Sequence, residues 1–435
     1  MNNGLNDLKR LSQVKNKKDI KKLSYAQFPG THCPLFGVAL TALLVEDMKV
    51  LVVGTEECTY YTKMFAIGRE KAGEATDNIL SLVIEQDEVV FGATDALREA
   101  LIRIDREYKP KAILVVTTCI PEITGEDYNA VIQSMQPIIN AKLMCVKTEH
   151  FRCSNHLPGI ERTLEAFADV MEVRRVKHNT VNILEHRHKG IEKTELFSIL
   201  KGENVEINLS IPSKCTVELL KEAASAQLNI VTDPSALSLA EKMKERFGTD
   251  YVYLGKHGSL RRIRLAYEQL SEKMGLRIEG KVEEISKRAQ MVLLKCEEQL
   301  SGKSFIYGNT PFPAFEACSL FCSIGMNPII IQTNDVSDSD LPCIEEIMST
   351  GNDPLITEVA NIAPLRKLYS SLTPDFYIGH EYPHLLAKHG IAHAILDPVA
   401  GRIGFELIEM TAGLLVQALE RTKGSNGKEL KHAAF

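Results

Sequence analysis

Residues 112–122 read AILVVTTCIPE. The run 112–117 is short, apolar and rich in β-branched residues, which suits a strand of a parallel sheet covered on both faces. A matching run, KVLVV at 49–53, ends at Gly54 and is followed by TEEC, so Cys58 follows its strand as Cys119 follows the other. Between the two lies a stretch at 94–107 with apolar residues at Ala96, Leu97, Ala100, Leu101 and Ile104, the spacing of one helix face. Strand, helix and strand in this order predict a right-handed βαβ unit. Ligand sites of such sheets lie beyond the carboxyl ends of the strands. If the two strands are neighbours, Cys58 and Cys119 open into one crevice.

The same alternation continues down the chain. Strands are predicted at 228–231 and 250–254, with helices at 235–247, 258–274 and 282–300. It resumes with strands at 304–307, 328–332, 375–379 and 392–396, and helices at 312–324, 381–389 and 404–420. The last dozen residues are polar and are expected to fray. This pattern predicts an α/β chain of three Rossmann-like domains, 1–178, 179–300 and 301–435. Each would have a parallel sheet flanked by helices, and the three would surround a central cleft.

Composition narrows the function. The chain has 435 residues, 44% of them hydrophobic and 25% charged, with a net charge of −6. No basic field for nucleic acid is expected. The stretch KNKKDIKK at 15–22 reads as a local, solvated arm. No secretory signal and no apolar run long enough for a bilayer are visible, so a cytoplasmic protein without a membrane partner is expected. Ten cysteines in such a chain are core residues, metal ligands or redox groups rather than disulfides.

Cys33 lies in GTHCPLFG, just before a helix starting near Leu35, where backbone N–H dipoles are expected to lower its pKa. Thiolates are the natural ligands of iron–sulfur clusters. No CxxCxxC motif is present, so spacing alone favours three core cysteines. Cys318 and Cys322, spaced i, i+4 on an apolar helix, read as core, as do Cys145, Cys215, Cys296 and Cys343.

Three segments resemble the nitrogenase component 1-like oxidoreductase superfamily: GTHCPLFGVALTALLVEDMKVLVVGTEEC at 30–58, DEVVFGATDALREAL at 87–101 and VVTTCIPEITGEDYNAV at 115–131. Later stretches at 216–231, 373–391 and 401–415 fit as well, so the likeness runs from about 28 to 420. The cysteine separations of 25 and 61 residues suit the family's three-cysteine pattern. Relatives include the nitrogenase MoFe-protein alpha subunit, the cofactor-assembly scaffold, the N subunit of dark-operative protochlorophyllide reductase and the nickel-tetrapyrrole reductive cyclase. The resemblance implies a 4Fe–4S cluster, or a larger P-cluster-like one, on Cys33, Cys58 and Cys119. Its fourth ligand would come from a second component 1-like subunit, from a second copy of this chain, or in cis from Cys153 of EHFRCSNH. Glu122 and Asp127 either order the turn after Cys119 or cap a helix.

The resemblance also separates this chain from the dinitrogen-reducing subunits. Those hold their large cofactor with a Cys after the second-domain strand and a His near a C-terminal Gly-Phe motif. Here Asp233 follows LNIVT, and Ala400, Gly401 and Arg402 precede Gly404 and Phe405. The expectation is a catalytic-type subunit that relays electrons through the interface cluster to a small organic substrate. The alternative is a scaffold for nitrogenase cofactor assembly. ATP would be used only through a homodimeric nitrogenase-reductase-like ATPase that donates electrons. The chain has no ATP motif of its own, since SGKS at 301–304 has Glu297 where a Walker loop opens with glycine. Asp233, His257 and His380 are candidate catalytic proton donors, with Glu381 beside the last. Arg261, Arg262 and Arg264 either meet a substrate carboxylate or form a solvated helix face.

Overall fold

The computed structural model of the chain describes residues 5–23, 33–66, 78–153, 155–188, 190–213, 215–256, 258–358 and 362–429. The protein packs as two compact units, each built from separate pieces of chain. One consists of Thr31–Lys189 and Asn204–Tyr253. The other consists of Met1–Gly30, Gly190–Glu203 and Leu254–Phe435.

The first unit holds two four-stranded parallel sheets. One contains β1 (Met48–Gly54), β2 (Ile79–Val83), β3 (Ala112–Thr117) and β4 (Lys142–Lys147), in the order β2-β1-β3-β4. Every residue of β3 is buried, as its continuous apolar run requires. The register pairs Val53 with Thr117 and Thr117 with Lys147, so the carboxyl ends of β1, β3 and β4 lie side by side. Helices cover both faces. Pro34–Ala42 and Leu157–Phe167 pack on the face with Val50, Val52, Leu114 and Val116. Thr94–Tyr108 and Tyr128–Met135 pack on the face with Leu51, Val53, Ile113 and Val115. The second sheet contains β5 (Lys177–His186), β6 (Glu206–Pro212), β7 (Ala226–Val231) and β8 (Asp250–Tyr253), in the order β8-β7-β5-β6.

The second unit holds β9 (Ser304–Tyr307), β10 (Asn327–Gln332), β11 (Leu355–Thr357), β12 (Phe376–Ile378) and β13 (Ala392–Ala394), all mutually parallel. Their order is β11-β10-β9-β12-β13, and Lys9–Arg10 adds an antiparallel edge beside β11. A further two-stranded parallel sheet pairs Val45–Glu46 with Cys215–Thr216 in the first unit.

The predicted helices at 235–247 and 258–274 form as Leu237–Phe247 and Leu260–Met274. Each stops at the expected glycine, Gly248 and Gly275, both with positive φ. The helix expected at 404–420 instead runs as Phe405–Glu429, so the backbone stays helical nine residues beyond the expected end, into the first half of the tail that was expected to fray. Strands β2, β4, β5, β6 and β11 have no counterpart in the sequence reading. Ser81 interrupts the apolar residues of β2, and the first three residues of β5 are polar and exposed, so neither shows a continuous apolar run. Among the described residues, no helix is long and apolar enough to cross a membrane.

Candidate functional site

The three cysteines sit at the starts of three helices. Cys33 is the N-cap of Pro34–Ala42, with Pro34 in the first turn, where a missing N–H costs nothing. Cys58 lies in the first turn of Glu56–Ala66, directly after β1. Cys119 opens the short helix Cys119–Thr124 after β3. Gly54 allows the last two turns to approach closely: a Cβ there would lie 2.0 Å from Thr118 Oγ1. Thr118 is tied to the same place, its N–H and its hydroxyl both donating to the Val53 carbonyl at 3.1 and 3.0 Å.

The three thiols share one electrostatic environment. Burial pushes the Cys33 thiol above its ordinary pKa, against the backbone N–H groups of Phe36 and Leu35, and Cys58 pushes it further up. Burial likewise raises Cys119, followed by the charges of Cys58, Glu122 and Cys33. The expected lowering of the Cys33 pKa by the helix end is therefore outweighed by desolvation. The dipoles do act on the sulfur, but the site is too dry for them to prevail. All three cysteines remain only partly buried. Thr55 donates from Oγ1 to Cys58 Sγ at 3.5 Å.

Glu122 does more than cap a helix. Its carboxylate accepts from Thr117 Oγ1 (2.7 Å), from the Thr148 N–H (2.6 Å) and from the Glu149 N–H (2.8 Å). It thus joins the end of β3 to the loop after β4. That loop carries His150, whose Nδ1 lies 3.6 Å from Cys119 Sγ, a contact sequence reasoning did not find. Asp127 is the cap, accepting from the Ala130 N–H at 3.1 Å. Cys153 lies in the same loop. Its thiol donates to the Thr148 carbonyl at 3.6 Å and sits 4.0 Å from Arg162 Nη1.

Large apolar side chains stand exposed on the same elements. They are Tyr60 and Tyr61 (57% each) on the Cys58 helix, Ile123 (71%) on the Cys119 helix, and Phe151 (54%) beside His150. Val90 (74%) and Phe91 (85%) crown Gln86–Phe91, which touches the Cys119 helix. Apolar exposure of this extent marks an interaction surface.

Among the described residues, no three His, Cys, Asp or Glu side chains converge closely enough to hold one metal ion. A group with several irons takes one thiolate at each of several separated metals, a donor set that three thiols from three chain segments would supply.

The other candidates are placed as follows. Asp233 caps the turn Pro234–Ala236, accepting from Ser235 N–H (3.1 Å) and Oγ (2.7 Å). His257 lies outside the described residues. His380 Nε2 pairs with Asp397 Oδ2 at 3.0 Å, and Glu381 holds Arg366 through two nitrogens. Asp233 belongs to the cysteine-bearing unit and His380 to the other. Of the arginines, Arg262 is committed to Glu346, Ser319 and Cys343, and Arg264 to Glu283 (2.5 Å) and Ser286 (2.8 Å). Neither is available to a substrate carboxylate. In the SGKS stretch, Lys303 Nζ and the Ser304 N–H both bind Asp375, which occupies the donors a phosphate loop would use.

The Gly404–Phe405 turn is shaped by a buried acid. Glu195 accepts the Phe405 and Glu406 N–H groups at 2.8 Å each, closing the start of the last helix, and the Tyr267 hydroxyl at 2.9 Å. Burial pushes its pKa up to about 7, against those donors.

Comparison with known proteins shows the family. Residues 33–404 match the family described as nitrogenase component 1 type oxidoreductase. The nitrogenase iron-molybdenum cofactor biosynthesis protein NifE of Methanococcus maripaludis is 23% identical over 371 residues, covering 83% of this chain and 77% of that protein. The nitrogenase molybdenum-iron protein alpha chain of Methanosarcina barkeri is 23% identical over 317 residues, covering 69% and 58%. A solved structure of nitrogenase Cp1 at pH 5 superposes with a TM-score of 0.64 at 17% identity, covering 92% of this chain and 90% of that one. With three cysteines at helix starts and a family match over residues 33–404, the chain belongs to the nitrogenase component 1 type oxidoreductases.

Proposed function

We propose that this chain is the cluster-holding subunit of a scaffold for nitrogenase-type cofactor assembly. Cys33, Cys58 and Cys119 would hold a 4Fe–4S cluster or a larger P-cluster-like one. The observation that carries the proposal is the set of three partly buried thiols at helix starts, coupled through one field and rimmed by exposed apolar side chains. The sequence reading put reduction of an organic substrate first. The relatives favour assembly: NifE proteins match along most of their own length, whereas the M. barkeri alpha chain is covered over 58%. The family resemblance puts Asp233 and residues 400–402 where the dinitrogen-reducing subunits have their Cys and His anchors. A cofactor held without those anchors is more easily passed on, as an assembly station requires.

The roles of the chain's own groups follow from their placement. The three thiols lose their protons on binding metal, since coordination deprotonates a thiol outright. Glu122 orients the loop over Cys119. The exposed Phe91, Val90 and Ile123 exclude water when a second component 1-like subunit, or a second copy of this chain, covers them. When bound, the cluster supplies one-electron transfer.

Reduction of an organic substrate, with electrons and ATP hydrolysis supplied by a nitrogenase-reductase-like ATPase, is the second reading. It is favoured by the likeness to one subunit of the light-independent protochlorophyllide reductase of a Synechococcus, 25% identical over 41% of this chain and 38% of that protein. The test uses anaerobically purified, iron-loaded protein. Restoration of activity to a cluster-free nitrogenase component 1 on mixing supports assembly. ATP-dependent turnover of a tetrapyrrole with a partner ATPase, and no such restoration, supports the reductase.

A further inference from the structure

His150 is no part of the three-cysteine motif, yet its ring lies against one of the thiols. The 3.6 Å from Nδ1 to Cys119 Sγ is within reach of an N–H···S hydrogen bond. The loop that sets this contact is held on two sides. Glu122 accepts the N–H groups of Thr148 and Glu149. Arg162 donates to the Thr148 carbonyl at 2.7 Å and to Glu149 Oε2 at 2.8 Å. Glu149, immediately before His150, has φ +44. A non-glycine residue keeps that conformation only where its surroundings impose it.

A free thiol and a neutral imidazole share one hydrogen bond in either direction. A thiolate bound to iron has no proton to give, so only the arrangement with Nδ1–H donating to sulfur remains. We infer that His150 is a positioning residue whose Nδ1–H donates to the Cys119 thiolate and raises the reduction potential of the cluster held there. An added electron increases the negative charge on the ligating sulfur, and a hydrogen bond to that charge strengthens with it. Hydrogen bonds to cluster sulfurs are among the settings of the potential.

The inference rests on the proposed cluster at Cys33, Cys58 and Cys119, and its test separates the two. Wild-type protein, His150→Leu and His150→Asn are purified anaerobically. Iron per chain is measured, and the midpoint is read by electron paramagnetic resonance during a redox titration. Iron is expected to be equal in all three. His150→Leu is expected to lower the midpoint by about 59 mV, a tenfold change in the one-electron equilibrium. His150→Asn, whose amide N–H reaches the same position, is expected to recover most of that shift. A wild-type midpoint in His150→Leu at full iron content overturns the inference and leaves the cluster reading intact. Loss of iron from His150→Leu also overturns it, by making the ring a ligand or a strut. Wild-type protein that takes up no iron overturns the cluster reading, and the inference with it.

Discussion

Glu122 accepts the Thr148 N–H at 2.6 Å, so the carboxylate of one strand-end turn fixes the backbone of the next. Removing it strips the acceptor from the Glu149 N–H and the Thr117 hydroxyl, and leaves the Thr148 N–H only the Thr117 carbonyl at 3.3 Å. Each buried donor left without a partner costs about 1–3 kcal/mol. Glu122→Ala is therefore expected to destabilise the cysteine-bearing unit by roughly 2–4 kcal/mol, read by chemical denaturation. A loss below about 0.5 kcal/mol would show that water replaces the carboxylate at no cost.

Cys58 is the thiol whose charge acts on both of the others. Cys58→Ala is expected to remove nearly all iron from anaerobically purified protein while leaving the circular dichroism spectrum unchanged. Retained iron in that variant would remove Cys58 from the ligand set.

Phe91 is 85% exposed and contributes little to its own unit, yet it belongs to the apolar rim of the cysteine site. Phe91→Asp is expected to leave the melting temperature within a degree or two and to weaken subunit association about tenfold or more. Analytical ultracentrifugation over a concentration series, with and without a second component 1-like subunit, reads the change. Equal association constants would place the interface elsewhere.

Glu195 titrates at about 7 in the folded chain, against an ordinary 4.5. A carboxyl whose pKa is raised on folding holds its extra proton better in the native state. Its contribution is fully present below about 4.5 and is lost as pH rises through about 7. The unit containing it should lose roughly 2–3 kcal/mol across that window relative to Glu195→Gln, in which the dependence flattens. Denaturation midpoints at pH 5, 6, 7 and 8 test the slope, and equal slopes in both proteins would refute the assignment.

Gly404 is bound to that acid by geometry. Its φ is +74, and a Cβ would lie 2.0 Å from Glu195 Oε1 and 2.9 Å from Tyr267 Oη. Gly404→Ala should cost about 3 kcal/mol or more, from backbone strain and from displacing a buried carboxylate. Thermal denaturation of the variant measures it, and an unchanged transition would show that the turn relaxes freely.

Much of the fold was legible where local chemistry and tertiary context agree. Ala112–Thr117 and Ser304–Tyr307 read as strands because continuous β-branched runs suit a sheet covered on both sides. Ile79–Val83 was missed because Ser81 interrupts its apolar run in an edge strand. Cys33 was read before a helix and Cys58 and Cys119 after their strands, whereas the helices that begin at Glu56 and Cys119 were not read. The contact of His150 with Cys119 was not. It spans 31 residues and depends on a positive φ at Glu149 that no glycine or asparagine announces. Glu122 looked like a helix cap because its partners lie across the sheet, 26 and 27 residues away.

The discontinuous make-up of the two units sets an order for events on the ribosome. Everything in the cysteine-bearing unit has been translated by Tyr253, whereas Glu195 must wait for Phe405 and Glu406 to be made. At roughly 5–20 residues per second, the remaining 180 or so residues take about ten to forty seconds to synthesise. The nascent chain therefore presents a finished set of thiols while its other half is still being translated. On the proposed function, iron–sulfur delivery to them can begin while translation continues.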